Sequence, residues 1–67
     1  MEIFPGISMD PGIRFWKPCL TGTRIDVATV VGALAAGESI ESVQEVYAIT
    51  REQVSAALGF VAGRSYE

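Results

Sequence analysis

The sequence predicts a mainly α-helical domain: three short helices in helix-turn-helix order, preceded by a short β arm of one or two strands. Three observations carry that expectation. Apolar residues recur at helical spacing in three separate segments between residues 27 and 63. Each segment follows a residue suited to cap a helix, namely Asp26, Ser39 or Thr50. Residues 1–26 contain all 3 prolines, Pro5, Pro11 and Pro18, with Gly6 and Gly12 among them, and these interrupt any helix there.

The arm comes first. Short extended pieces fit between the breakers, at Ile7-Ser8-Met9 and at Ile13-Arg14-Phe15-Trp16. A two-stranded ribbon alone is marginal in water. The arm is therefore expected to pack on the helices, or to pair with a second chain along an open edge. Ile13, Phe15 and Trp16 are bulky enough to anchor it. Helix one is expected from Val27 to Ala35 or Ala36, with Asp26 as its cap. Val27, Val30, Val31 and Leu34 line one face, and Gly37 ends the helix.

Helix two starts near Ser39. Ile40, Val43 and Tyr47 form its apolar stripe with Val46 alongside, while Glu38, Glu41 and Glu45 project to solvent. Helix three takes Thr50 as its cap, and Gln53 three residues later completes a reciprocal capping box. Val54, Ala57, Leu58 and Val61 share one face, and Ala56 and Phe60 form a narrower second stripe. This helix is expected to fade at Gly63. The chain thus divides into an arm and turn (1–26), a helical body (27–63) and a loose tail (64–67), all within one domain.

Composition bounds the function. A chain of 67 residues is near the size at which a single core is only marginally stable. Hydrophobic residues make up 49% and charged residues 19%, more apolar side chain than so small an interior can hold. A surplus of that kind marks an interface, so a homodimer or a partner protein is expected, with Phe15, Trp16 and Phe60 as candidate interface residues. A monomer with a scattered apolar surface is the alternative.

The net charge of −3 argues against bulk, charge-driven nucleic-acid binding, though not against a local basic patch. The cations are Arg14, Lys17, Arg24, Arg51 and Arg64. Cys19 is the single cysteine and there is no histidine, so no internal disulfide can form, and neither a zinc set nor a nucleophile–base pair is expected; Cys19 reads as a small buried apolar residue rather than a reactive thiol. No metal, cofactor or catalytic residue is expected, and the chain reads as a binding protein rather than an enzyme. A reducing, cytoplasmic setting follows from the cysteine usage and from the lack of a membrane-spanning or signal-like apolar run.

Between arm and helices lies the run Lys17-Pro18-Cys19-Leu20-Thr21-Gly22-Thr23-Arg24-Ile25-Asp26-Val27. Gly22 suits a turn with positive φ. The hydroxyls of Thr21 and Thr23 can satisfy local backbone groups. Arg24 can bind carbonyls that the turn leaves unpaired, pair with an acid such as Asp26, or contact a phosphate or a partner carboxylate. A structural role for Gly22, Thr23 and Arg24 is favoured over partner contact, because buried backbone groups must find partners.

The joint Ala48-Ile49-Thr50 is short enough for a helix-turn-helix. In that motif the second helix enters the major groove with its first residues at base edges. Thr50, Arg51, Gln53 and Ser55 are therefore the candidate DNA-contacting residues, and arginine and glutamine can both make bidentate base contacts.

Four blocks in order carry a family resemblance: K-P-C-L-T-G-T-R-I-D-V, A-A-G-E-S-I, V-Q-E-V-Y and T-R-E-Q-V-S-A-A-L. Over about residues 7–62 they resemble the family catalogued as domain of unknown function 433, small VapB-like antitoxins of bacteria and archaea. The resemblance implies a helix-turn-helix body with a β arm. It further implies binding and silencing of a PIN-like ribonuclease toxin encoded beside the antitoxin, and binding to promoter DNA as a dimer. Gly22 and Arg24 fall on the family's G-T-R core. Trp16 departs from it, since the family often has glycine two residues before the proline. Two functions stand as expectations: an antitoxin of this type, or a protein-binding helical module without DNA binding.

Overall fold

The computed structural model describes residues 1–64, so the expected loose tail falls, beyond Arg64, outside the described residues. The elements are β1 (Glu2–Phe4), β2 (Ile7–Ser8), a 3-10 turn (Arg14–Trp16), β3 (Cys19–Leu20), α1 (Val27–Ala35), α2 (Ile40–Tyr47) and α3 (Arg51–Arg64). Three helices and a small antiparallel sheet make up the mainly helical domain that the spacing predicts.

The arm holds three strands rather than one or two, in the order β1-β2-β3. Ile7 pairs with both Phe4 and Leu20, and Ser8 pairs with Cys19. β3 is only two residues long, between Pro18 and the turn at Thr21-Gly22, too short to display an alternating pattern. After that turn the chain runs back beside β3. Leu20 N–H donates to the Ile25 carbonyl at 2.9 Å, and Val27 N–H to the Pro18 carbonyl at 2.9 Å. The outer side of β3 is thus covered by the segment that leads into α1, which blunts that edge.

The expected strand at Ile13-Arg14-Phe15-Trp16 is instead the 3-10 turn, and its aromatics do not anchor the arm. Phe15 (φ 53°, ψ 55°) and Trp16 (φ 68°) both hold left-handed backbone. That geometry breaks an extended run and throws the two rings outward, with Phe15 91% and Trp16 50% exposed. The arm is fastened by Phe4, Ile7 and Leu20. Ile7 and Leu20 are fully buried, and Phe4 meets Phe60 edge-on at 5.8 Å between ring centroids.

The helix caps fall where the sequence puts them. Asp26 Oδ1 accepts from the Thr29 N–H at 2.7 Å, and Ser39 Oγ from the Ser42 N–H at 3.0 Å. α1 ends at Ala35 with Ala36 as its C-cap, and Gly37 follows at φ 103°. α2 ends at Tyr47, capped by Ala48 in the left-handed state (φ 55°, ψ 48°). Ile49 then drops into the core and Thr50 opens α3, so the whole joint is three residues long.

The core comprises Ile7, Leu20, Val27, Val30, Val43, Ile49, Val54, Ala57 and Phe60. Two side chains of α3 differ from expectation. Leu58 is 40% exposed, and Phe60 is buried at 9% rather than offered to an interface. The sheet lies against the Phe60 side of α3, where Phe4 covers Gly59 and Phe60. The buried stripe is rotated toward that side, which turns Leu58 to solvent.

Candidate functional site

The start of α3 carries Thr50, Arg51, Gln53 and Ser55, with Thr50 bonded to Gln53 and the exposed Arg51 and Ser55 one helical turn apart. Its geometry comes from the capping box. Gln53 Oε1 accepts from the Thr50 N–H at 2.8 Å, and Thr50 Oγ1 accepts from the Gln53 N–H at 3.1 Å. Two of the four otherwise unpaired amides of the helix start are satisfied this way. The same bonds turn Gln53 back onto its own backbone, so the amide face it needs for a bidentate base contact is occupied. Thr50→Ala is expected to lower stability by about 1 kcal/mol, the usual loss of a good N-cap. Urea unfolding followed by circular dichroism measures it; an unchanged midpoint would contradict the assigned capping role.

Arg51 and Ser55 are exposed. The Arg51 guanidinium Nη1 lies 3.8 Å from Glu41 Oε2 across the α2–α3 corner, both side chains well out in solvent. Such a pair adds little stability. It does decide the sign of the local field. Glu41 and Glu45 are one helical turn apart on α2, both exposed, and the exposed Glu52 follows Arg51 directly. Glu38 Oε1 accepts from the Ser42 hydroxyl at 2.8 Å on the same helix. Among the described residues this corner sets three exposed acids, Glu41, Glu45 and Glu52, against Arg51, a signal visible in the sequence only once α2 and α3 are known to meet.

The turn after β3 is a structural device. Gly22 holds φ 80°. Thr23 N–H donates to the Leu20 carbonyl at 3.0 Å, and its hydroxyl donates to the same carbonyl at 2.9 Å. Thr23 Oγ1 also accepts from the Ile25 N–H at 3.1 Å. Ser8 and Thr21 exchange a hydroxyl bond at 2.7 Å, tying β2 to the turn. Arg24 does not join this network: it is exposed and, among the described residues, makes no hydrogen bond or ion pair. The stitching role expected of Arg24 is carried by Thr23.

A second surface was not legible in the sequence. Beside the exposed Phe15–Trp16 tip lies an open groove of about 560 Å³, with Pro18, Val27, Ala28, Phe60 and Val61 as its apolar lining and Lys17 and Asp26 as its charged members. It forms where the β3 approach, the start of α1 and the far half of α3 come together. No helix among the described residues is long and apolar enough to cross a membrane, and no group of three or more potential metal ligands occurs among them.

Fold and surfaces together define a small, mainly helical domain of three helices with a three-stranded antiparallel β arm. The chain belongs to the family described as Protein of unknown function (DUF433), which matches residues 7–61. No curated protein and no solved structure matches it. The matched span runs from β2 into the last turns of α3, so it takes in the β3 turn and the α3 start alike. The left-handed backbone at Trp16 also gives a physical reason for the glycine that the resemblance leads one to expect there, since glycine adopts that state without strain.

Proposed function

We propose that this chain is an antitoxin whose main activity is to bind and inhibit a PIN-like ribonuclease toxin. The observation that carries this reading is the α2–α3 corner, where Arg51 lies beside Glu41, with the exposed Glu45 one turn along α2 and the exposed Glu52 next to Arg51 in the chain. A ribonuclease must hold a polyanion and so needs cationic surface for its RNA. An acidic, rigidly capped corner complements such a surface and competes with RNA for it. The net charge of −3 acts in the same direction at longer range.

Promoter binding is the second reading, and the helix order favours it: Thr50, Arg51 and Ser55 stand exposed at the start of α3. With acids around Arg51 and Gln53 committed to the cap, DNA contact by this corner is expected to be weak without the toxin. As a complex with a basic partner, the assembly would have the positive charge that this chain lacks.

The test is inhibition of the nuclease encoded by the adjacent gene. Purified antitoxin should silence it stoichiometrically, and the combined variant Glu41→Lys with Glu45→Lys should bind about tenfold more weakly, with a shallower salt dependence. Labelled upstream DNA titrated at two salt concentrations separates the second reading. Tight binding by the free chain that falls with salt and is lost in Arg51→Ala, together with no effect on the nuclease, would replace inhibition by DNA binding as the main activity.

A further inference from the structure

We infer that the groove between the end of α1 and α2 is a receptor for one arginine side chain of the nuclease, its guanidinium on the Glu38 carboxylate and its apolar stem against Ala36 and Val46. The inference rests on the nuclease reading above and adds a contact apart from the α2–α3 corner. The groove holds about 290 Å³, with Ala36 on the α1 side, Ser42, Val43, Val46 and Tyr47 on the α2 side, and Glu38 from the joint between them. Val43 is buried at 1% exposure and gives the groove an apolar base. Val46 is 69% exposed, the most exposed large hydrophobic side chain of the three helices.

Glu38 makes the groove a site for a cation. Its N–H donates to the Ala33 carbonyl at 3.1 Å, and its Oε1 accepts from the Ser42 hydroxyl at 2.8 Å. Backbone and side chain are both tethered, while Oε2 has no hydrogen bond or ion pair among the described residues. The helix ends add to the field. α1 finishes beside the groove at its Ala36 cap, and the last turn of α2 supplies Val46 and Tyr47. A helix C-terminus carries partial negative charge that a basic residue in the last turn offsets. Neither α1 nor α2 has one there. A cation from outside therefore meets a fixed carboxylate and two uncompensated helix ends at once.

Arginine is the cation that fits. Its stem covers apolar surface while its head stays polar. Its fork pairs with a carboxylate through charge-assisted bonds, which a lysine ammonium matches less well. Tyr47 in the wall offers an aromatic surface for the planar head. A ribonuclease carries such side chains to hold its RNA, so an arginine captured here is withdrawn from the substrate. One anchored side chain is a hot spot within a larger interface, not the whole of one.

Calorimetric titration of the full chain against the nuclease encoded by the adjacent gene tests it. Glu38→Gln keeps an oxygen for the Ser42 hydroxyl and removes the charge, and Val46→Arg sets a cation over the groove. Each should raise the dissociation constant about tenfold, the loss of one charge-assisted contact. Circular dichroism should show both variants folded, since both positions are exposed. In the nuclease, one Arg→Ala substitution should cause the same loss and add nothing when combined with Glu38→Gln. Wild-type binding that neither groove variant weakens, but that Glu41→Lys with Glu45→Lys does, overturns the inference and leaves the nuclease reading standing. A loss in only one of the two groove variants also overturns it, because the site needs both the apolar wall and the carboxylate. A wild type that does not bind the nuclease overturns both.

Discussion

Leu20→Ala is expected to remove about 3 kcal/mol of stability. Leu20 is fully buried in β3 and its Cα partner across the sheet is Ile7, itself fully buried. β3 also contacts α3, and the Leu20 amide and carbonyl hold the turn that leads to α1. One side chain thus joins sheet, turn and helical body, and a cavity there cannot close without moving all three. A chain of 67 residues has roughly 3–10 kcal/mol of stability in total. The substitution should therefore leave a marginal protein, with a melting temperature lower by about 12–24 °C. Leu58→Ala, at 40% exposure, is the matched control and should cost under about 1 kcal/mol. Urea titrations at one fixed protein concentration compare the two. Equal losses would mean that the inward stripe of α3, and the sheet packed beside it, are misassigned.

Leu58 also marks where sequence reasoning stops. Its spacing from Val54 and Val61 is as good as that of Ala57, and nothing local distinguishes them. The distinction comes from the arm, because Phe4 covers Gly59 and Phe60 and so selects which side of α3 is interior. Helix starts are different. Asp26, Ser39 and Thr50 act through bonds three residues long, so the sequence alone locates α1, α2 and α3 within a residue. The 3-10 turn is the opposite case. Left-handed backbone at a phenylalanine and a tryptophan opposes every local preference, so no pattern announces it. The candidate residues at the α3 start were readable for the same reason as the caps, but their surroundings were not. That Arg51 meets Glu41 follows from how α2 and α3 cross, not from any spacing along the chain.

The run from Lys17 to Val27 shows how much architecture a short segment can carry. Pro18 supplies a carbonyl to the Val27 amide, Leu20 a core side chain, and Gly22 and Thr23 the turn. Asp26 caps α1 while bridging back to Cys19. Each residue except the exposed Lys17, Thr21 and Arg24 is set by a local backbone demand or by burial, and Thr21 still bonds Ser8. Arg24, like Lys17, makes no hydrogen bond or ion pair among the described residues, which leaves its side chain available to a partner without making it necessary to folding.

Gly6→Ala is expected to cost about 2–3 kcal/mol, from two separable sources. Gly6 is the second residue of the Pro5-Gly6 turn between β1 and β2, at φ 87°. A turn of this composition needs positive φ at that position, and a Cβ there is strained by about 1–2 kcal/mol. The second source is contact: a Cβ on Gly6 would stand 3.0 Å from the Cβ of Ala56 on α3, so the sheet or the helix must shift. The Gly6 carbonyl cannot move freely, because it accepts from the Thr21 N–H at 2.9 Å. Gly22 separates the two terms. It has φ 80° but no neighbour within 4 Å of a built Cβ, so Gly22→Ala should show the backbone term alone. In an Ala56→Gly background the opposing Cβ is gone, and Gly6→Ala should then cost no more than Gly22→Ala does in the wild type. Chemical denaturation of the four variants completes the cycle. A Gly6→Ala cost that is unchanged by Ala56→Gly would show that the arm does not rest on α3 at this point.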